Sequence, residues 1–219
     1  MLNNIFKILI IFILGMGGGA LVFYQLQYQS EPGPVYIIEK KEIIIQENTA
    51  LENAVEKTKK TVINIRAKLE SGEILEGSGL IVTSDGLAVT LNSLIPQGSA
   101  LYFYINGSST SYQILKRDSK ENLALIKVGR IDLPTLSFAD LEKIKLGERV
   151  FLVGVGVANE GIIRSFSKDF IETNIFEKNI ISGSPLFDIE GSILGINTID
   201  EEGRVIAIPI SKIKKFIGL

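Results

Sequence analysis

From Thr61 onward the chain consists of short runs rich in β-branched residues, separated at intervals of about ten residues by Gly, Asn, Asp and Ser. Examples are VINIRAKL, GLIVTSDGLAVTL, ALYFYING, ERVFLVGVG and RVIAIPI. Many short strands at this spacing predict an all-β sandwich or barrel rather than alternating strands and helices. A Leu-rich stretch at residues 133–146 divides the runs into two sets of similar size. The sequence therefore predicts two linked barrels, at about residues 61–132 and 146–211.

The composition limits the chemistry that the chain can perform. Its 219 residues are 46% hydrophobic, enough for one large core or two small barrels. With 23 basic and 25 acidic residues there is no field that would gather nucleic acid, so no nucleic-acid partner is expected. The chain has neither cysteine nor histidine, which excludes disulfides and the usual nitrogen and sulfur ligands of zinc and haem. We predict no metal and no cofactor.

The N-terminus carries an apolar run that fits a membrane. Residues 8–24 contain no charge, and Ile5 and Phe6 extend the run beyond Lys7, which gives roughly the 20 residues that cross a bilayer. Lys7 and the α-amine favour an N-terminus in the cytoplasm. We predict a transmembrane signal-anchor at residues 1–24, with the C-terminal domain in the cell envelope or periplasm of a bacterial-type cell. Cleavage near Ala20, as in a signal peptide, is the alternative, although apolar residues continue beyond it.

Two segments connect this run to the globular part. Residues 25–34 are polar with two prolines, as in an extended juxtamembrane linker, and residues 35–46 read VYIIEKKEIIIQ, which predicts a strand or extended arm. The arm would contact a second copy or pack against its own barrel. Residues 49–52 then have the form of a capping box that starts a short helix ending near Lys60. We place the globular domain at residues 48–219.

The order of the motifs resembles a known family. Six blocks follow one another: AVEK before VINI, GSGLIVTSDGLAVTLNSLI, NLALIKV, LGERVFLVG, TNIFEKNIISGSPLFDIEGSILGINT and IAIPI. Over residues 50–210 the chain thus resembles the HtrA/Deg family of trypsin-like serine proteases, whose nucleophile motif is G-N-S-G-G-P-L. The resemblance implies a trypsin-like (chymotrypsin-like) double β-barrel and a homotrimer. Because the blocks end at IAIPI, the PDZ domain of many family members is not expected.

The resemblance also assigns the catalytic positions, and two of the three triad residues differ. Ser93 stands at the position of the histidine, Asn122 at that of the aspartate, and Ser182 at that of the nucleophile. A serine hydroxyl cannot accept a proton near neutral pH, so the general base is missing. In the oxyanion loop Gly183 is retained, but Ile180 replaces a glycine of unusual backbone conformation, which predicts a misshapen oxyanion hole.

These departures predict a membrane-anchored pseudoprotease, a barrel module that binds peptide or partner protein without cleaving it. Loss of triad function costs on the order of a millionfold in turnover. The alternative is an active serine endopeptidase that uses Ser182 with a non-standard base such as Lys178. A third, structural hypothesis is that the arm at residues 35–46 assembles a membrane complex.

Overall fold

The computed structural model describes residues 2–28, 47–154, 156–178 and 181–219. These form two separate units, Met1–Ile45 and Gln46–Leu219. The described part of the first unit is one helix, α1 (Leu2–Tyr28). Within Asn3–Tyr28 an 18-residue window reaches a mean hydropathy of 2.3, so α1 is long and apolar enough for a membrane anchor or a signal sequence. The predicted arm at residues 35–46 lies outside the described residues.

One expectation for this region is wrong. Residues 25–28 were expected to begin the extended linker, but they form the last turn of α1. No glycine or proline interrupts the chain between Ala20 and Pro32, so nothing in the sequence ends the helix at Tyr24. Polarity alone does not stop a helix, because Gln is a good helix former.

The first sheet of the second unit has seven antiparallel strands. They are β1 (Val62–Lys68), β2 (Ile74–Ile81), β3 (Leu87–Leu91), β4 (Ala100–Ile105), β5 (Ser108–Thr110), β6 (Tyr112–Asp118) and β7 (Leu123–Val128). Their order is β5-β4-β1-β2-β3-β7-β6, so β5 and β6 are the two edges. In β1 the alternation puts Ile63, Ile65 and Ala67 inside, where all three are buried. The inward residues form the core of this sheet.

The remaining strands close into a second barrel. They are β8 (Arg149–Gly154), β9 (Val157–Phe166), β10 (Ile171–Phe176), β11 (Pro185–Asp188), β12 (Ile193–Ile199) and β13 (Arg204–Pro209). The closed order is β10-β13-β12-β11-β8-β9. The predicted all-β, trypsin-like two-barrel fold is confirmed, with a closed second barrel and an open first sheet.

Two helices flank the strands. α2 (Glu47–Thr58) begins before Thr49, so Thr49 lies within the helix and the predicted capping box is wrong. α3 (Ile210–Ile217) was not predicted, because the β-rich run RVIAIPI extends through Ile210 and indicates a strand up to that residue. Pro209 ends β13, and the buried Ile210, Ile213 and Phe216 recur at helical spacing.

A shared core joins the two barrels. Its buried residues come from both strand sets, for example Leu91 and Leu123 from the first and Phe151 and Phe187 from the second. The segment between the barrels packs on the second one, where the Ala139 amide donates to the Ile193 carbonyl at 2.9 Å. The site described next therefore lies on elements that one core supports.

Candidate active site

Ser93 and Asn122 are in direct contact. The Ser93 backbone amide donates to Asn122 Oδ1 at 2.9 Å, and Asn122 Nδ2 donates to Ser93 Oγ at 3.2 Å. Ser93 belongs to a short 3-10 helix, Asn92–Leu94, that follows β3, and Asn122 immediately precedes β7. The two residues that the resemblance assigned to the histidine and aspartate positions thus come together as a neutral amide–hydroxyl pair.

The loop before β7 fixes Asn122. Its φ of 52° lies in the left-handed region, which Asn tolerates better than most residues. Asp118 Oδ1 accepts the amides of Lys120 and Glu121, both at 3.0 Å, and so closes the turn. The Asn122 carbonyl accepts the Asn92 amide at 3.0 Å. Backbone and side chain therefore attach Asn122 to the 3-10 helix.

Ser182 lies in a tight turn before β11. The Ser182 carbonyl accepts the Ser78 amide of β2 at 2.9 Å, which ties the turn to the first sheet. Gly183 has a φ of +79°, and a Cβ there would contact the Ser78 carbonyl oxygen and lie 2.8 Å from Thr90 Oγ1. Only glycine fits this close approach. Ile180, the predicted site of distortion, lies outside the described residues.

Two residues behind this turn were missed at the sequence level. Ser184 and Asn197 are fully buried, and Asn197 Nδ2 donates to Ser184 Oγ at 3.0 Å. The Gly183 amide donates to the Asn197 carbonyl, and the Asn197 amide donates to the Ser184 carbonyl, both at 2.8 Å. One sequence feature could have pointed to Ser184. In the family motif G-N-S-G-G-P-L two glycines follow the serine, and here Ser184 stands in place of the second one. The Gly183 amide is engaged in this network.

An open groove of about 710 Å³ runs between the two barrels. Ser93 and Ser182 both line it, so the structure brings two of the assigned positions to one surface. Its walls are the beginning of β2 on one side and the end of β12, with Thr198 and Ile199, on the other. The region is an accessible groove and not a filled core.

The chemistry of these groups is limited. Among the described residues no hydrogen bond joins the Ser182 hydroxyl to Ser93 or Asn122. A hydroxyl becomes a nucleophile when a base within about 2.6–3.2 Å takes its proton. Neither serine nor asparagine is such a base near neutral pH. Lys178 is exposed, its carbonyl accepts the Ile181 amide at 3.2 Å, and its side chain makes no hydrogen bond or ion pair with a described residue.

An ion-pair cluster supports the loop that carries Asn122. Lys212 of α3 contacts Glu121 Oε2 and Asp169 Oδ1, both at 2.8 Å. The hydrogen bond from Lys212 lowers the pKa of Asp169, and bonds to Asp169 and Glu121 raise the pKa of Lys212. Within the described ranges no group of three or more acidic side chains is arranged to hold a metal ion.

Two β-barrels, with a serine at a tight turn beside the groove between them, are the arrangement of trypsin-like folds. A family model described as "Trypsin-like peptidase domain" matches residues 77–196, more than half of the chain. The chain therefore belongs to the trypsin-like peptidase family, of the HtrA type.

The curated relatives are longer than this chain. A "Probable periplasmic serine endoprotease DegP-like" of Rhizobium meliloti is 31% identical over 65% of this chain and 32% of its own length. A protein of the same description from Chlamydia pneumoniae is 31% identical over 61% of this chain and 30% of its own length. "Serine protease HTRA1" of Xenopus laevis is 32% identical, with 65% and 35% covered. The aligned part is thus about a third of each relative.

Proposed function

We propose that this chain is a membrane-anchored pseudoprotease that holds an extended polypeptide in the groove beside Ser182 without cleaving it. The observation that carries the proposal is the neutral pair of Ser93 and Asn122 in place of a base and its partner. Without a proton acceptor the Ser182 hydroxyl has no route to an alkoxide, so peptide cleavage stops at its first step.

The retained groove supports the binding part of the proposal. An extended peptide binds through backbone hydrogen bonds and side-chain pockets, and neither requires a catalytic triad. The groove is open between the barrels, and the turn at Gly183 remains closely packed on β2. A packed, accessible groove fits a binding role better than a purely structural one.

Two observations, α1 and the description of the relatives, support the proposed location. α1 is long and apolar enough to anchor the chain, and the DegP-like relatives are described as periplasmic. We therefore place the barrels on the outer side of the cytoplasmic membrane, with protein or peptide as the partner. The same proposal includes assembly into a homotrimer and a role of the arm at residues 35–46 in that assembly. The oligomer mass, measured before and after deletion of the arm, tests it.

A fluorophosphonate probe tests the absence of catalysis. Such a probe labels only an activated serine. We expect the full chain in detergent to show no more labelling than Ser182→Ala, while an active trypsin-like protease in the same sample is labelled. Labelling of the wild type that disappears in Ser182→Ala, together with casein degradation, supports the alternative of an endopeptidase with a non-standard base.

Peptide binding is tested by filling the groove. Thr198→Tyr adds a bulky neutral side chain to the groove wall and suits a strand position. We expect at least about a fivefold loss of affinity for an extended neutral peptide, measured by fluorescence anisotropy. Ser109→Tyr on β5, an exposed strand position that does not line the groove, is the matched control and should bind as the wild type does.

A further inference from the structure

The walls of the groove carry charge of one sign. Glu73 and Glu76 line the β2 side, and no basic residue is among the described residues that line the groove. Glu76 is paired with Arg66, whose Nε donates to Glu76 Oε1 at 2.7 Å. Glu73 is exposed and makes no ion pair with a described residue. The first rim therefore presents one unpaired carboxylate next to the exposed Ile74.

The opposite rim is also acidic. The β12–β13 hairpin continues directly from Ile199 into Asp200, Glu201 and Glu202. Arg204, the cation within this hairpin, is already bound by Glu202 at 2.9 Å and by Glu172. Glu201 is exposed and has no ion-pair partner among the described residues. Glu73 thus lines the groove directly, whereas Glu201 follows the lining residue Ile199 by two positions and lies just beyond the groove wall.

The floor between the rims carries an apolar patch beside the hydroxyls of Ser93 and Ser182. Leu91 and Leu94 are buried side chains that reach the groove, and Leu75 and Ile199 contribute to its walls. A strand-like peptide points alternate side chains to opposite sides, so one side can face this floor while flanking groups reach the rims. Apolar side chains fit the floor, and positive side chains complement the rims.

We propose that the groove selects an extended peptide segment in which basic residues flank an apolar one. This inference rests on the proposed peptide-binding function and adds the chemistry of the partner. The groove defines the site, while the unpaired carboxylates of Glu73 and Glu201 set its charge preference. The partner is a protein or peptide segment with lysine or arginine beside an aliphatic residue.

Three short peptides test the preference. They share one aliphatic pattern and carry lysine, glutamine or glutamate at the flanking positions. We expect the full chain in detergent to bind the lysine peptide about tenfold more tightly than the glutamine peptide at about 20 mM salt, and the glutamate peptide most weakly. At about 500 mM salt the difference should shrink to about twofold, because exposed charges are screened.

Two variants assign the effect to the rims. Glu73→Gln with Glu201→Gln should reduce the ratio of the lysine-peptide affinity to the glutamine-peptide affinity about fivefold. Glu190→Gln removes one carboxylate from an exposed turn at the other end of β12 and should alter neither affinity, and each of the two rim substitutions made singly is compared with it. Thermal unfolding of each variant verifies that the fold is intact.

The outcomes separate the two proposals. If all three peptides bind equally and Thr198→Tyr weakens them all, the groove binds peptide but the charge preference is wrong. If no peptide binds, both proposals are wrong. An equal loss of preference in Glu190→Gln shows a general effect of net charge and also overturns the rim assignment.

Discussion

Asn122 combines two structural roles in one residue, because it adopts a left-handed backbone and exchanges two hydrogen bonds with Ser93. The motif order placed both residues at catalytic positions of the family, which made their proximity predictable. Their reciprocal bonding was not predictable, since no rule of spacing specifies how two replaced residues pair. Ser184 was missed for a related reason: a buried partner such as Asn197 is known only from the fold.

Substitution of Asn122 should separate conformation from hydrogen bonding. We expect Asn122→Ala to lower the free energy of unfolding by about 2 kcal/mol, through backbone strain and lost hydrogen bonds. Asn122→Gly removes the hydrogen bonds but accepts the positive φ, so its loss should be about 1 kcal/mol. Urea unfolding of the full chain in detergent measures both, and equal losses would contradict the strain at this position.

Gly183→Ala should be far more damaging than the same change at Gly203. Both residues have positive φ, but a Cβ at Gly203 would lie 3.6 Å from the nearest heavy atom, the Glu177 carbonyl oxygen. At Gly183 the Cβ would collide with the backbone of β2. We expect a loss of more than about 3 kcal/mol at Gly183 and about 1 kcal/mol at Gly203. The same urea titrations compare them, and similar losses would refute the close packing of the Ser182 turn.

At the scale of elements, the strands could be predicted from the sequence, but the helix that follows the last strand could not. Alternation of apolar residues identified the strands of both barrels, because one face of each packs on a core. α3 was missed, since eight residues after a strand give a weak periodic signal. α3 links the two barrels. Its Lys212 forms ion pairs with Glu121, in the loop between β6 and β7 of the first sheet, and with Asp169, between β9 and β10 of the second barrel. Lys116 Nζ also donates to the Phe216 carbonyl at 2.8 Å.

Replacing Lys212 should weaken this link in a pH-dependent manner. Because the folded pKa of Asp169 is lowered, its pairing stabilises the protein above the unfolded pKa of about 3.9 and is lost as the pH falls through the folded pKa. The folded pKa of Lys212 is raised, so its contribution is lost only as the pH rises above about 10.4. Lys212→Met should therefore lower the Tm at pH 7, and the difference from the wild type should shrink in strong acid.

The control for this prediction lies on the same helix. Lys215 is exposed and makes no ion pair with a described residue. Lys215→Met removes the same charge and should leave the Tm unchanged across the pH range. A Tm deficit of Lys212→Met that persists undiminished at pH 2 would mean that the side chain acts by packing and not by its ion pairs.

At the scale of the whole molecule, the two-barrel fold followed from the sequence, whereas the division at residues 25–47 stays a prediction. Strand count and motif order specified the barrels, since six blocks in order admit few topologies. The sequence did not specify whether each set of strands closes into a barrel, because the same alternation of apolar and polar residues suits a closed barrel and an open sheet. The structure closes only the second set and leaves β5 and β6 as edges.

Membrane attachment is testable on the intact chain. We expect the full chain to remain in the membrane pellet after alkaline carbonate extraction, because α1 supplies 26 residues of apolar helix. In spheroplasts the barrels should be accessible to added protease. A variant lacking residues 2–28 and produced in the cytoplasm is the control and should not pellet. A released protein whose N-terminus follows Ala20 would instead identify a cleaved signal peptide.

The amide–hydroxyl pair of Asn122 and Ser93, of which Ser93 lines the groove, has a consequence for the pH dependence of the site. A histidine-based triad gains and loses a proton near pH 6.5, so its state follows the acidity of its surroundings. Asn122 and Ser93 exchange their hydrogen bonds without an ionisable group. Moderate acidification or alkalinisation of the medium therefore leaves the hydrogen bonds between these two side chains unchanged.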